Sequence, residues 1–459
     1  MDFIKWTHER QELERIVKEV ILVKFFDKLQ EKLLVIADKL NQITYITVIR
    51  NSLTLLMPMI IIGAFCTLIS NVVCSTTTSG PSLAKISGLS FLENFAPIFT
   101  AANYATLNFF AVEVVVLIGI ELAKIRKINS TVGGIIAIAS YISICVTTKA
   151  VTFNDETQII NNVLSSDYTG SKGLFLAMII GILSVEIFAK LFKSGKLNIH
   201  MPNVVPPNIA LSFSVLFPAM VTVLCVSTLE FIIQSITGSG LFDLVYTLVQ
   251  QPLSHIVTGL PGIIILVTIS QLFWLLGIHG NQMISAVRDP ILTATALANL
   301  TAFENGEAIP NIISQGFWYA YMQFGGSGST LGLIIAIFIC SKRDDYKSIA
   351  KLSLAPSLFG INETMTFGIP IVLNPVMAIP FILCPIIGAI IGYIATAIGF
   401  AGKMMYVIPW TTPPFINGYL ASGGNIGVVI TQVIILIVCI IVYMPFVIAS
   451  NKQDLSQAV

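Results

Sequence analysis

Long apolar runs separated by short polar segments dominate the chain from about residue 44 onward. Three runs, 244–287, 364–402 and 404–451, contain no Asp, Glu, Lys or Arg. Each is longer than the roughly 20 residues that an α-helix needs to cross a bilayer. The short alternating segments typical of a transmembrane β-barrel are not found in the sequence. The pattern therefore predicts an all-α polytopic membrane protein.

Successive apolar segments predict the individual membrane helices. We place them at 46–72, 101–122, 131–149, 171–192, 209–236 and 260–283, with further helices near 329–340, 371–399 and 424–449. Two stretches, 288–330 and 351–376, are too polar or too rich in glycine and proline for a simple span. Non-helical backbone at membrane depth is tolerated only inside protein or beside water, so we expect re-entrant hairpins or broken helices there. Ordinary loops stay an alternative, most of all at 300–311.

The first 40 residues differ from the rest, because they carry 16 of the 49 charged residues. Their apolar residues recur at three- and four-residue spacing, which predicts an amphipathic helix on the membrane surface or against the protein. An accessory helix without a function of its own is the alternative. We expect the loss of residues 1–30 to leave ligand binding largely unchanged.

Positive charges predict the orientation of the chain in the membrane. Basic clusters follow the second and fourth segments, whereas the loop at 150–170 contains neither Lys nor Arg. The cluster residues are Lys124, Arg126 and Lys127, then Lys190, Lys193 and Lys196. A cytoplasmic N-terminus places both clusters inside, so we expect that orientation.

Composition and motifs exclude several classes of function. The net charge of +1 gives no reason to expect a nucleic-acid partner, and the seven cysteines include no C-x-x-C pair that would predict a zinc site or a disulfide framework. We find no P-loop, dinucleotide-binding fingerprint or nucleophile elbow. We therefore expect no metal, no cofactor and no catalytic residue of such machinery on this chain.

Glu363 is the strongest candidate for a functional side chain. It lies in the run Pro356–Pro370, and Lys403 is the single charged residue between 364 and 451. A carboxylate at the centre of a lipid-exposed helix costs roughly 2.5 kcal/mol or more. Glycines and prolines interrupt the helix on both sides, which indicates a binding site rather than a lipid-facing span. Glu113 and Glu230 lack such breaks, so we expect structural roles for them.

His279 and Asn281 form a second candidate group, in the run Gly277-Ile-His-Gly-Asn281. A carboxylate, an imidazole and amides are groups that exchange hydrogen bonds with sugar hydroxyls. Trp410 is a candidate platform for the C–H face of a sugar ring, and Trp318 is a weaker one. A place in the interfacial aromatic belt is an equally good interpretation of both tryptophans.

These motifs resemble the membrane (IIC) subunit of bacterial sugar phosphotransferase systems, in the lactose/cellobiose/diacetylchitobiose family. The resemblance runs from about residue 33 to 450. The matching pieces are Arg50–Pro58, Gly173–Phe175, Ser184–Ile187, Met201–Pro207, Gly277–Gly280, Gly325–Leu331, Gly360–Glu363 and Pro370–Pro375. Their shared order and spacing make the resemblance specific, although each piece alone is modest.

The resemblance implies about ten transmembrane helices, two re-entrant hairpins and a homodimer. Residues 41–240 would form the dimerisation half, after the N-terminal segment 1–40, and 241–459 the transport half that moves as a rigid body. His279 and Glu363 match the family's sugar-binding His and Glu, near the hydroxyl that receives phosphate. Lys172, Gly173 and Trp410 match weaker contact positions of the family, and Asn281 and Asn362 are the nearby amides expected to contact the sugar.

The implied function is a cytoplasmic-membrane permease for a β-linked disaccharide, most of all cellobiose or diacetylchitobiose. The chain ends without an attached phosphocysteine domain, so a separate phosphorylated IIB subunit, charged in turn by IIA, is expected as its partner. A lactose-type substrate in the same family is one alternative. A cation-coupled secondary sugar transporter is another, with Glu363 as the proton site, and a membrane-embedded sugar sensor is a third.

Overall fold

The computed structural model describes residues 42–77, 82–153, 156–202, 204–369, 371–372 and 374–457. The amphipathic helix expected within residues 1–40 lies outside this range. The described part is almost entirely helical, with one small antiparallel hairpin. It confirms the predicted all-α class.

The first half of the chain forms seven α-helices and the two-stranded hairpin within the described residues. They are α1 (Thr44–Ile69), α2 (Ala96–Thr106), α3 (Phe110–Ile125), α4 (Ser130–Ile142), β1 (Thr148–Phe153), β2 (Glu156–Asn161), α5 (Ser166–Thr169), α6 (Leu174–Lys193) and α7 (Pro207–Thr237). A π-helical turn, Ser70–Cys74, continues α1. The strands pair in register from Thr148 opposite Asn161 to Phe153 opposite Glu156.

The second half has shorter and more often interrupted helices. They are α8 (Leu241–Val245), α9 (Gln251–Thr258), α10 (Leu260–Leu275), α11 (Gly280–Glu304), α12 (Gln315–Met322), α13 (Thr330–Cys340), α14 (Asp344–Leu358), α15 (Glu363–Gly368), α16 (Pro375–Ala397), α17 (Ile416–Ala421) and α18 (Ile426–Gln457). Glu230 near the end of α7 accepts a hydrogen bond from the backbone N–H of Leu241 at 2.9 Å. It therefore caps α8, which is a structural role.

Seven helical stretches of the described residues are long and apolar enough to cross a membrane. An eighth is obtained if Leu241–Thr258 and Leu260–Leu275, which meet at 78°, count as one broken span. The apolar helix α4 is shorter than these. A polytopic membrane protein is thereby confirmed, while the count of ten helices stays a prediction from the family resemblance.

Three predicted boundaries differ from the structure. The segment predicted at 131–149 stops being helical at Ile142, and its last residues pair as β1, whose β-branched Thr and Val suit a strand. The segment predicted at 260–283 is two helices, because Gly277 with φ +77° turns the chain between α10 and α11. The stretch from 288, predicted to be broken, continues as regular helix to Glu304.

The helices α3, α4 and α6 pack very closely in the first half. A Cβ atom added to Gly119 would lie 2.7 Å from the carbonyl oxygen of Gly133, and one added to Gly133 would lie 2.5 Å from the Cβ of Ala123. Small residues at helix crossings let backbones approach in this way, which is how helices associate within lipid. The first half is therefore built from regular helices in tight contact.

The two halves meet where α11 packs against α1. Asn103 of α2 also donates a hydrogen bond to the Glu304 carboxylate at the end of α11, at 3.3 Å. A cavity of about 740 Å³ opens along this boundary, with α1 on one wall and α11 on the other.

Candidate functional site

The cavity brings together five of the seven residues expected to contact ligand: His279, Asn281, Asn362, Glu363 and Trp410. They come from three separate segments of the second half. His279 and Asn281 begin α11, Asn362 and Glu363 begin α15, and Trp410 lies in the loop before α17. Broken helices are what makes this convergence possible, since each break turns a helix end toward the same space.

Glu363 and His279 face each other inside the cavity. The Nε2 atom of His279 lies 3.7 Å from Oε1 of Glu363. The Nδ1 atom of His279 accepts a hydrogen bond from the backbone N–H of Gln282 at 3.3 Å, so the neutral ring carries its proton on Nε2, toward the carboxylate. The Glu363 side chain is 46% exposed as a whole, but its Oε2 atom is buried and has no hydrogen-bond partner among the described residues. Buried polar atoms are normally paired, so this oxygen indicates a ligand donor.

Asn281 and Asn362 hold the site together from behind. The Asn281 side chain donates to Oγ of Ser327 at 2.9 Å and accepts from Ser270 and Gln323 at 3.0 and 3.1 Å. The Asn362 amide donates to the carbonyl oxygen of Ser327 at 3.0 Å. Both amides thus tie the two helix starts to the Gly325–Ser329 loop, and we interpret them as supports for His279 and Glu363.

This close packing requires glycine at two positions of the Gly325–Ser329 loop. Gly326 has φ +99°, and a Cβ there would lie 2.8 to 2.9 Å from atoms of the Asn362 side chain. Gly328 has φ +72°, and a Cβ there would lie 2.1 Å from the ring of Phe381. Only glycine combines this left-handed backbone with so little space.

Aromatic rings enclose part of the cavity. The Trp274 ring packs on the His279 imidazole with centroids 4.4 Å apart, and its Nε1 atom is buried without a partner among the described residues. Trp410 is 43% exposed and lines the cavity, as expected of a stacking platform. Trp318, the weaker candidate, is fully buried and does not line the cavity.

Lys172 and Gly173 lie outside the lining of this cavity. Lys172 forms an ion pair with Asp167 at 2.9 Å. A Cβ added to Gly173 would lie 2.2 Å from the carbonyl oxygen of Tyr168 and 2.5 Å from the hydroxyl of Tyr141. In this structure Lys172 and Gly173 shape the start of α6, and they are separate from the five residues that line the cavity.

Several lining residues were missed by sequence reasoning as ligand-facing groups. Arg50, Glu121 and Lys124 come from the first half, and Arg288 and Asp289 come from α11. Lys124 pairs with Glu121 at 2.6 Å. The sequence contained a pattern that could have predicted the α11 residues. Polar side chains recur there at the spacing of one helix face in an otherwise apolar region, at Asn281, Gln282, Ser285, Arg288 and Asp289.

Comparison with known proteins identifies the family. Residues 50–385 match the family "Phosphotransferase system, EIIC". The chain is 34% identical over 434 residues to the oligo-beta-mannoside-specific EIIC component of Bacillus subtilis (strain 168), covering 94% of this chain and 95% of that protein. It is 31% identical over 442 residues to the cellobiose-specific EIIC component of Geobacillus stearothermophilus, covering 95% and 96%.

A solved structure has the same fold. The crystal structure of the transporter ChbC, the IIC component from the N,N'-diacetylchitobiose-specific phosphotransferase system, superimposes with a TM-score of 0.86 at 32% identity, covering 94% of this chain and 99% of that one. These similarities extend over nearly the whole chain, so they include both halves and the cavity between them. The chain therefore belongs to the phosphotransferase system EIIC family, and it is a membrane-embedded sugar permease component of such a system.

Proposed function

We propose that the cavity binds a β-linked disaccharide and that Glu363 and His279 hold the hydroxyl group that receives the phosphoryl group. The buried, unpartnered Oε2 of Glu363, beside an imidazole at 3.7 Å from the other carboxylate oxygen, is the observation that carries this proposal. A carboxylate accepts hydrogen bonds from sugar hydroxyls, and Nε2–H of the imidazole donates one. A cavity of about 740 Å³ lies in the size range of small-molecule sites.

Cellobiose and diacetylchitobiose are the substrates we favour. The relatives named for cellobiose and N,N'-diacetylchitobiose support this choice, and the oligo-beta-mannoside relative adds β-linked mannosides to the group. Lactose is the alternative, and the chain matches 64% of its own length to a lactose-specific EIICB component of Streptococcus mutans. All of these substrates offer two pyranose rings and several hydroxyl groups.

The transport cycle we propose moves residues 241–459 against 41–240. The sugar ligands Glu363 and His279 belong to the moving half, and α1 supplies the opposite wall of the cavity. With the N-terminus in the cytoplasm, Lys124 belongs to a cytoplasmic basic cluster, and because Lys124 also lines the cavity, the cavity opens inward in this arrangement.

The fixed half would pair with a second copy of the chain. Helix α7 supports this role, since most of its apolar side chains are uncovered: Ile236 is 78% exposed and Phe231 is 70% exposed. Part of this surface would face lipid and part would face the other subunit. The homodimer expected from the family resemblance fits such a surface.

Phosphorylation then requires a partner IIB subunit that carries a phosphocysteine, charged in turn by IIA. The sugar oxygen forms a bond to phosphorus while the sulfur–phosphorus bond breaks, and the cysteine leaves as a thiolate. The hydroxyl proton passes to Glu363 or His279, which are the titratable groups beside it. This chain binds and orients the acceptor and carries no phosphoryl group itself.

Glu363→Gln tests the proposal directly. Binding of cellobiose, diacetylchitobiose, β-1,4-mannobiose and lactose to purified protein is measured first, to find the disaccharide that binds best. The substitution should weaken that binding about 100-fold, since two hydrogen bonds to a charged group are lost or weakened. Glu113→Gln, in α3 and outside the cavity lining, is the matched control. Unchanged affinity in Glu363→Gln would remove Glu363 from the sugar site.

A further inference from the structure

One face of α11 contributes five polar residues to the lining of the cavity. Asn281, Gln282, Ser285, Arg288 and Asp289 all line it, and they follow the spacing of one helix face. From Asn281 to Asp289 the helix rises about 12 Å. His279, which faces Glu363, immediately precedes this helix, so Arg288 and Asp289 lie more than two helical turns farther along it.

Arg288 and Asp289 form an ion pair at this position of α11. Nε and Nη2 of Arg288 lie 2.7 and 2.6 Å from Oδ1 of Asp289, and the guanidinium carbon lies 5.1 Å from the centre of the Trp318 ring. The Arg288 side chain is only 7% exposed, whereas that of Asp289 is 27% exposed. The pair is therefore rigidly held, with its carboxylate nearer to the open space.

The ion pair does not use all the hydrogen-bonding capacity of its two side chains. Nη1 of Arg288 is buried and has no hydrogen-bond partner among the described residues. The contacts to Arg288 use Oδ1 of Asp289, so the carboxylate keeps capacity to accept further hydrogen bonds. Burying a donor without a partner is costly, which indicates that another molecule completes its bonding.

A purely structural role explains the pair poorly. Arg288 and Asp289 are neighbours on one helix, so their ion pair itself joins no two elements, and the contact of Arg288 with Trp318 of α12 does not require Asp289. A buried ion pair is also weak evidence for stability, because removing two charges from water costs about as much as their attraction returns. Within the described residues, Arg288, Asp289, Glu363 and His279 are the acidic and basic side chains that the second half contributes to the cavity wall.

We propose that Arg288 and Asp289 bind the sugar ring remote from Glu363 and thereby select for substrates of two rings. This inference rests on the proposed function of the same cavity. The guanidinium donates to a hydroxyl or carbonyl oxygen of the remote ring, and the Asp289 carboxylate accepts from one of its hydroxyls. The first ring is held by Glu363 and His279, so a single sugar unit fills only that end.

The test compares one ring with two. The ligands are the best-binding disaccharide of the four named above and the methyl β-glycoside of its single sugar unit, measured by equilibrium competition on purified full-length protein. The variants are Asp289→Asn, Arg288→Lys, and the double variant Arg288→Gln/Asp289→Asn, which leaves no unpaired charge. Arg343→Gln/Asp345→Asn is the matched control, because that pair is also 2.6 Å long and also places its arginine on an aromatic ring, Tyr346.

We expect each cavity variant to lose about 10- to 100-fold in disaccharide affinity while the single-ring glycoside changes less than about twofold. The control pair, which lies outside the cavity lining, should change neither affinity. Equal losses for both ligands, or no loss for either, would overturn the inference. Failure of the proposed function has a different signature, since then Glu363→Gln would bind the disaccharide as well as the unaltered protein does.

Discussion

Glycine has different roles in the two halves of the molecule. In the first half, Gly119 and Gly133 lie inside regular helices, and their missing side chains let α3 and α4 touch along their backbones. In the second half, Gly277, Gly326 and Gly328 have positive φ angles and lie where helices stop. The first arrangement brings helix backbones into close contact, and the second produces helix ends whose polar groups line one cavity.

The difference bears on how an apolar helical protein can accommodate a carboxylate such as Glu363. A continuous span satisfies all its backbone groups internally, and an acid within it has to be paired or to face the protein interior. In the second half, Glu363 is the first residue of the short helix α15, where the helix N-terminus favours a negative charge. The side-chain amides of Asn281 and Asn362 both donate hydrogen bonds to Ser327, in the loop between two of these broken helices.

The largest effect is expected from a side chain added inside the broken half. Gly328→Ala should destabilise the protein by about 2–5 kcal/mol, from left-handed strain of about 1–2 kcal/mol plus overpacking against Phe381 of about 1–3 kcal/mol. Thermal unfolding in detergent measures it. Gly195→Ala is the control, since its φ is +70° but nothing lies within 4 Å of the added Cβ. Equal stability of the two variants would refute the packing account.

A smaller effect is expected from the same change in the packed half. Gly119→Ala should cost about 1–3 kcal/mol of stability, because the added Cβ meets the Gly133 carbonyl oxygen at 2.7 Å in a region where backbones touch. Disaccharide affinity of the folded protein should stay the same, because α3 supplies only its far end, Glu121 and Lys124, to the cavity. A matched loss of sugar affinity would show that the halves are not independent.

Asn281→Ala sharpens the distinction between holding the site and contacting the sugar. Its amide bonds to Ser270, Ser327 and Gln323 should be lost, so His279 and Glu363 become less well positioned. We expect disaccharide affinity to fall about 5- to 30-fold, corresponding to about 1–2 kcal/mol. Affinity for the single-ring glycoside should fall by the same factor, since the supports serve the end of the cavity near Glu363. A loss confined to the disaccharide would contradict this role.

The smallest effect is expected at Lys172. Its side chain is 57% exposed and pairs with Asp167, and such surface ion pairs contribute about 0–1 kcal/mol. Lys172→Ala should therefore change disaccharide affinity by less than about twofold and stability by less than about 1 kcal/mol. Disaccharide binding is measured under the same conditions for Lys172→Ala and for Lys190→Ala, and the two affinities are compared. Lys190 is an exposed lysine at the end of α6. A tenfold loss of affinity would restore Lys172 as a sugar contact in another state of the transport cycle.

Sequence reasoning was most successful where an energetic rule acts on single residues. The cost of a carboxylate in oil singled out Glu363, and the flanking glycines singled out His279, before any fold was known. It failed at Arg288 and Asp289, which fell in a stretch predicted to be broken because of the polar and glycine-rich residues that follow them. The ion pair inside α11 offsets the cost of burying these two charges, and a pairing between neighbouring residues cannot be read from the hydrophobic pattern.

The apolar pattern, the charge-free runs and the isolated polar residues by themselves determined a helical membrane protein, and they singled out Glu363 and His279, which both line its cavity. They determined this because burial of backbone and charge in lipid has a large, local free-energy cost. Only the tertiary structure decided which polar groups share the cavity, since Arg50 and Glu363 are far apart in sequence and line one cavity in the fold, in which α1 packs against α11. It alone also showed that Lys172 and Gly173 lie elsewhere, because the direction of each helix end depends on φ angles and on contacts between distant segments.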